Sequence, residues 1–134
     1  MPPEMYPSPT SELSLKRREL APEISAAFHA LSQKVFAPGA LPTKMKQIIA
    51  VAVAHVTQCP YCIKGHTRAA LREGASEAEL MEAIWVAAEM RAGGSYAHSI
   101  IAIAEMRVVA AAAHERGVQT GDNDVGLAPA SGRS

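Results

Sequence analysis

Apolar residues recur along this chain with a helical period, and no alternating strand-like stretch of useful length interrupts them. Ser11 is placed to cap a first helix, and Pro22 marks a break or a fresh start. From 23 to 36 the residues Ile24, Ala27, Phe28, Leu31 and Val35 fall on one stripe, ended by Pro38-Gly39. Pro42-Thr43 opens a helix with Met45, Ile48, Ile49, Val51, Ala52 and Val56. Its second half is apolar nearly all round, the pattern of a buried central helix. Cys59-Pro60 begins another, with Cys59 at the N-cap and proline in the first turn, where a missing N–H costs nothing. Gly74 closes it, and Ser76 and Glu79 form a capping box for a helix from 77 to about 91. Gly93-Gly94 reads as a turn before a last helix over 95–115. The pattern predicts an all-α bundle of about five to six helices. Residues 1–10 form a proline-rich mobile arm, 11–116 the helical domain, and 117–134 a disordered tail.

Composition narrows the function classes. Apolar residues make up 49% of the chain and aromatics only 4%, so alanine carries much of the apolar share. The core is thin per residue, which favours self-association. Thirteen basic and thirteen acidic side chains cancel, so no broad field attracts nucleic acid or an anionic membrane. The N-terminus lacks the basic-then-apolar pattern of a secretory signal, and no apolar run reaches the ~18 residues of a membrane span. The expected location is cytoplasmic. There, a lone C-x-x-C is redox-active or metal-binding rather than a structural staple.

The chemistry concentrates in Cys59-Pro60-Tyr61-Cys62-Ile63-Lys64-Gly65-His66, which holds both cysteines of the chain. On a helix, Cys59, Cys62 and His66 lie at roughly 0°, 300° and 340° and share one face. The helix N-terminus stabilises a thiolate at Cys59. Cys62, one turn further in and expected to be more buried, can close a disulfide with it, and His66 can carry protons to either sulfur. His55, four residues before Cys59, either faces the thiols or finishes its own helix. His98 reaches the site only through tertiary folding. His29 and His114 read as ordinary helix residues, and Met81, Met90 and Met106 as core. The same cluster also fits a zinc site, with Cys59, Cys62 and His66 as three ligands and His55 or His98 as a fourth. A third reading is a non-catalytic structural or redox-sensing oligomer.

Several segments together resemble the alkyl hydroperoxidase D / carboxymuconolactone decarboxylase superfamily. They are Leu41-Pro42-Thr43-Lys44, Cys59-Pro60-Tyr61-Cys62-Ile63 with His66, Ala70-Leu71, Gly74-Ala75-Ser76 with Glu79, and Gly93-Gly94 with His98. The resemblance covers roughly residues 35–110. It implies an all-α, alkyl hydroperoxidase D-like bundle assembled as a homotrimer or homohexamer. It implies a thiol-dependent peroxidase or disulfide oxidoreductase with an antioxidant role and no cofactor or metal. In such proteins the second cysteine, Cys62, attacks the peroxide, and the resulting sulfenic acid condenses with Cys59. A lipoyl- or thioredoxin-type dithiol then reduces the disulfide. Decarboxylating members act without a redox cysteine pair, so retention of both cysteines argues against that activity. Two positions depart from the pattern. The relay glutamate usual twelve residues before the first cysteine is Gln47 here, and Tyr61 stands where a histidine is common between the cysteines. Gln47 can orient His66 or a water but cannot take a proton. His55 is the expected substitute, with Glu89 as another.

Overall fold

The computed structural model describes residues 5–122, and side chains up to residue 119. These residues form five helices: α1 Ser11–Leu20, α2 Pro22–Phe36, α3 Thr43–Thr57, α4 Pro60–Arg72 and α5 Glu77–Asp122. They fall into two compact units, the first ending at Arg91 and the second starting at Ala92. The expected mobility of residues 1–4 and disorder of 123–134 concern positions outside the described residues.

Local sequence sets most boundaries. Thr10, rather than Ser11, caps α1, its hydroxyl accepting the Leu13 N–H at 3.2 Å. Pro22 takes the first position of α2, where its fixed φ suits the helix. Gly74, at φ 89°, turns the chain after α4. Ser76 and Glu79 cap α5 reciprocally, each side chain accepting the other's backbone N–H at 3.0 Å. The pair Lys44–Glu79, 3.2 Å apart, ties α3 to this cap.

In the first unit α3 packs chiefly on α4, and α2 lies against α1 and α3. The core is small. Val51 of α3, Ala70 of α4, Ala75 in the turn and Leu80 of α5 are buried together, with Ile48 and Ile84 packed against them. Val51 is fully buried and is the largest such side chain. Burying it contributes about 1.5–3 kcal/mol.

Several expectations are corrected here. Gly93-Gly94 is not a turn: α5 runs through it without a positive φ. Glycine is a poor helix former but not a breaker, and here strong helix formers flank it without a proline. Residues 117–122 are helical rather than tail. Fusing the two expected helices also produces a segment long and apolar enough by composition to cross a membrane. Within Glu77–Gln119 an 18-residue window reaches a mean hydropathy of 1.3, with none of it buried. Finally, the α2 stripe is not core: Ile24, Phe28, Leu31 and Val35 are exposed, as are Met81, Met90 and Met106. α3 is likewise buried only at Gln47, Val51 and Ala54. This single chain has too few large side chains on facing helices to cover these stripes.

Candidate active site

The two cysteines are delivered to the site by a left-handed turn. Gln58, at φ 58° and ψ 43°, ends α3, and its backbone N–H donates to the Ala54 carbonyl. The Cys59 N–H donates to that same carbonyl at 3.2 Å. Only glycine takes this conformation without steric cost. The Gln58 side-chain amide compensates by donating to the His55 carbonyl. One residue later the chain re-enters a helix, with Cys59 as the N-cap of α4 and Pro60 behind it.

Cys59 and Cys62 are joined as a disulfide with Cα atoms 5.3 Å apart. The Cys62 N–H donates to the Cys59 sulfur at 3.2 Å. A sulfur in the N-cap position thus takes the role a serine or aspartate oxygen usually fills. When the pair is reduced, this N–H and the helix dipole both favour negative charge on Cys59. Both cysteines are half-buried.

His66, also half-buried, lies on α4 and is gripped from two sides. Its Nδ1 is 2.7 Å from Oε1 of buried Gln47. A carbonyl oxygen only accepts, so Nδ1 carries the proton, and in the neutral ring Nε2 keeps the lone pair. The Phe36 ring stacks on the imidazole, with centroids 5.1 Å apart and planes 26° from parallel. Phe36 is itself held by the start of α3. The Thr43 hydroxyl donates to the Phe36 carbonyl at 2.9 Å, and Lys46 Nζ donates to the Val35 and Ala37 carbonyls at 2.8 and 2.6 Å.

Cys62 and His66 line a hollow of about 500 Å³ together with Phe36, Gln47, Tyr61 and Gly65. Tyr61 is also tied to the chain's start: its hydroxyl donates to the Pro7 carbonyl at 2.9 Å, and its ring meets the Tyr6 ring edge-on at 6.3 Å. The structure therefore brings together Cys59, Cys62, His66 and Gln47. His55 and Glu89, in the same unit, are not among the residues lining the hollow. His55 directs Nδ1 to the Val51 carbonyl at 2.7 Å, within its own helix. Glu89 is exposed on α5, and His98 belongs to the second unit. Among the described residues, no three His, Cys, Asp or Glu side chains converge as metal ligands. In this state the two sulfurs are bonded to each other, and His66 Nδ1 meets Gln47.

Phe36, Lys46 and Gly65 went unnoticed in the sequence. Phe36 is one of only two phenylalanines, but it sits at a helix end outside the apolar stripe, so periodicity gives it no weight.

Comparison with known proteins bears on this geometry. The family profile of carboxymuconolactone decarboxylases matches residues 22–106, and the chain belongs to that family. It is 65% identical over 81 residues to uncharacterized protein 4 in the cox locus of Paracoccus denitrificans, covering 60% of this chain and 73% of that protein. A carboxymuconolactone decarboxylase family protein from Legionella pneumophila has a solved structure with 35% identity and a TM-score of 0.57. That match covers 60% of this chain and 71% of the other. A protein of Methanobacterium thermoautotrophicum gives 34% identity and a TM-score of 0.58, over 60% and 91% of the two chains.

Proposed function

We propose that this member of the carboxymuconolactone decarboxylase family is a thiol-dependent peroxidase that reduces hydroperoxides at Cys62 and is recycled by a dithiol. The observation that carries this reading is the shared hollow. Cys62 lines it beside His66, whose Nε2 lone pair is fixed by the Gln47 contact to Nδ1.

The steps balance. Nε2 of His66 takes the Cys62 thiol proton. The thiolate attacks the terminal peroxide oxygen, the O–O bond breaks, and the imidazolium returns the proton to the departing alkoxide. Cys62 is then a sulfenic acid and the product an alcohol. Cys59, as thiolate, attacks the Cys62 sulfur, expelling hydroxide that leaves as water and closing the disulfide seen in the structure. A reductant thiol next gives its proton to Nε2 of His66 and attacks Cys59, and Cys62 leaves with that proton from His66. The reductant's second thiol attacks the sulfur joined to Cys59. Cys59 departs as a thiolate towards the Cys62 N–H. A lipoyl- or thioredoxin-type dithiol fits this sequence, and no cofactor or metal enters it.

The active form is a homotrimer or homohexamer acting in the cytoplasm. Ile24, Phe28, Trp85 and Val86 of the first unit are 61–76% exposed, more apolar surface than a lone chain of this small core tolerates. Further copies cover such surface better than a bilayer would, since Glu105 and Arg107 stand within the apolar part of α5. No nucleic acid partner is proposed for a chain with no net charge.

The test is a single-turnover thiol count. Reduced protein is mixed with one equivalent of tert-butyl hydroperoxide, quenched with an alkylating agent over time, and weighed intact. Rapid loss of both alkylation sites, with the mass of an internal disulfide, supports the peroxidase. Two sites still alkylatable after many minutes would sink it.

A further inference from the structure

Gly65 stands in the middle of α4, three residues after Cys62 and directly before His66. Glycine is among the least favourable residues for a helix interior. Two ordinary reasons for keeping one are absent here. The backbone is not left-handed at this position, because Gln58 and Gly74 account for the positive φ values. Nor does another part of the chain approach closely, because a Cβ built at Gly65 would meet no atom within 4 Å. Gly65 is also part of the wall of the hollow, together with Cys62, His66, Phe36 and Ala69.

We infer that Gly65 is a specificity-determining residue. Its missing side chain leaves room beside Cys62 for the organic group of a bulky alkyl or aryl hydroperoxide. Phe36 and Ala69 supply apolar surface for that group, while Ser32, Gln33 and Gln47 give the hollow a polar side for the peroxide and the departing alcohol. Hydrogen peroxide has no group to fill this space and gains nothing from it. The helix gives up propensity at this position in exchange for substrate breadth.

The inference rests on the peroxidase reading, and its test separates the two. Wild type, Gly65→Ala and Gly65→Val are compared in three assays. The first is turnover of hydrogen peroxide and of cumene hydroperoxide with dithiothreitol as reductant. The second, which needs no peroxidase activity, is alkylation of reduced Cys62 in a Cys59→Ser background by small iodoacetamide and by bulky N-phenylmaleimide. The third is thermal stability and oligomer mass. Gly65→Ala is expected to melt at or above the wild-type temperature and to lose less turnover of hydrogen peroxide than of cumene hydroperoxide. Its kcat/KM for cumene hydroperoxide should fall about tenfold, and further in Gly65→Val. Alkylation by the bulky reagent should slow in parallel while the small reagent keeps its rate. Equal effects on small and bulky reagents, or none, would overturn the inference. So would a Gly65→Ala protein that falls apart into smaller oligomers, because the glycine would then serve subunit packing. If no peroxide is consumed by wild type yet alkylation still discriminates by size, the peroxidase reading fails and the role of Gly65 in sizing the hollow stands.

Discussion

Replacing Gln47 with leucine removes the acceptor of the His66 Nδ1 proton while keeping a side chain of similar bulk at a buried position. The bond it removes is 2.7 Å long and joins two uncharged groups. Such a bond contributes about 1 kcal/mol net. That free energy corresponds to about fivefold in the population of the Nδ1–H tautomer. Without it His66 spends more time with its proton on Nε2, the nitrogen that must accept the thiol proton from Cys62. The expected result is a three- to tenfold slower first oxidation, with stability lowered by about 1 kcal/mol because a half-buried N–H loses its partner. Gln47→Glu is the matched control. It retains an acceptor and adds a charge that favours the imidazolium, so its rate should equal or exceed that of wild type. Rapid-quench alkylation gives the rate, urea denaturation the stability, and nitrogen chemical shifts of the imidazole report the tautomer directly. If Gln47→Leu oxidises as fast as wild type with its tautomer unchanged, the relay built on this contact is wrong.

Other outcomes are expected from the same structure. Cys62→Ser should abolish peroxide consumption, whereas Cys59→Ser should still oxidise once and stop as a sulfenic acid, gaining the mass of one oxygen; the reverse pattern would exchange the two roles. Val51→Ala removes two methyl groups from a fully buried site and should cost about 2–3 kcal/mol in urea unfolding. The Glu79 carboxyl is held below its ordinary 4.5, first by the Ser76 N–H and then by Lys44. Its contribution to stability is therefore complete above pH about 4.5 and is lost as the pH falls through the lower folded value. Glu79→Gln should narrow the gap between urea midpoints at neutral and acid pH, and an unchanged gap would assign acid sensitivity elsewhere.

The chemical centre was legible because it is local. A cysteine before a proline at a helix start, a second one turn later and a histidine four further on are set by backbone geometry alone, as are the Gly74 stop and the Ser76–Glu79 box. What sequence did not reveal depends on distant residues. Phe36 and His66 are thirty positions apart, and their stacking depends on how α2 ends against α3. Gln47 was found through a family pattern, and only the fold shows that it fixes a tautomer. His55 looked equally close to the thiols along the chain, but the end of a helix turned its ring onto its own backbone. Gly93-Gly94 misled because a glycine pair is read as punctuation, while a helix with alanine-rich neighbours simply absorbs it. Amphipathic stripes were read correctly as apolar faces, but periodicity does not say whether the same chain covers them.

One helix, α3, holds the imidazole on two sides: Gln47 meets its edge, and Thr43 with Lys46 secures the segment carrying the ring above its face. The histidine therefore inherits its orientation from a neighbouring helix as well as from α4, whose first turn bears the sulfurs. Opening and closing the disulfide can rearrange the first turn of α4 while the proton carrier stays anchored one turn away. Lys46 gives that anchorage a chemical vulnerability. Acetylation of its amine would remove the charge that gathers two carbonyls at the end of α2, loosening Phe36 and, through it, the orientation of a group that the modifying reagent never touches.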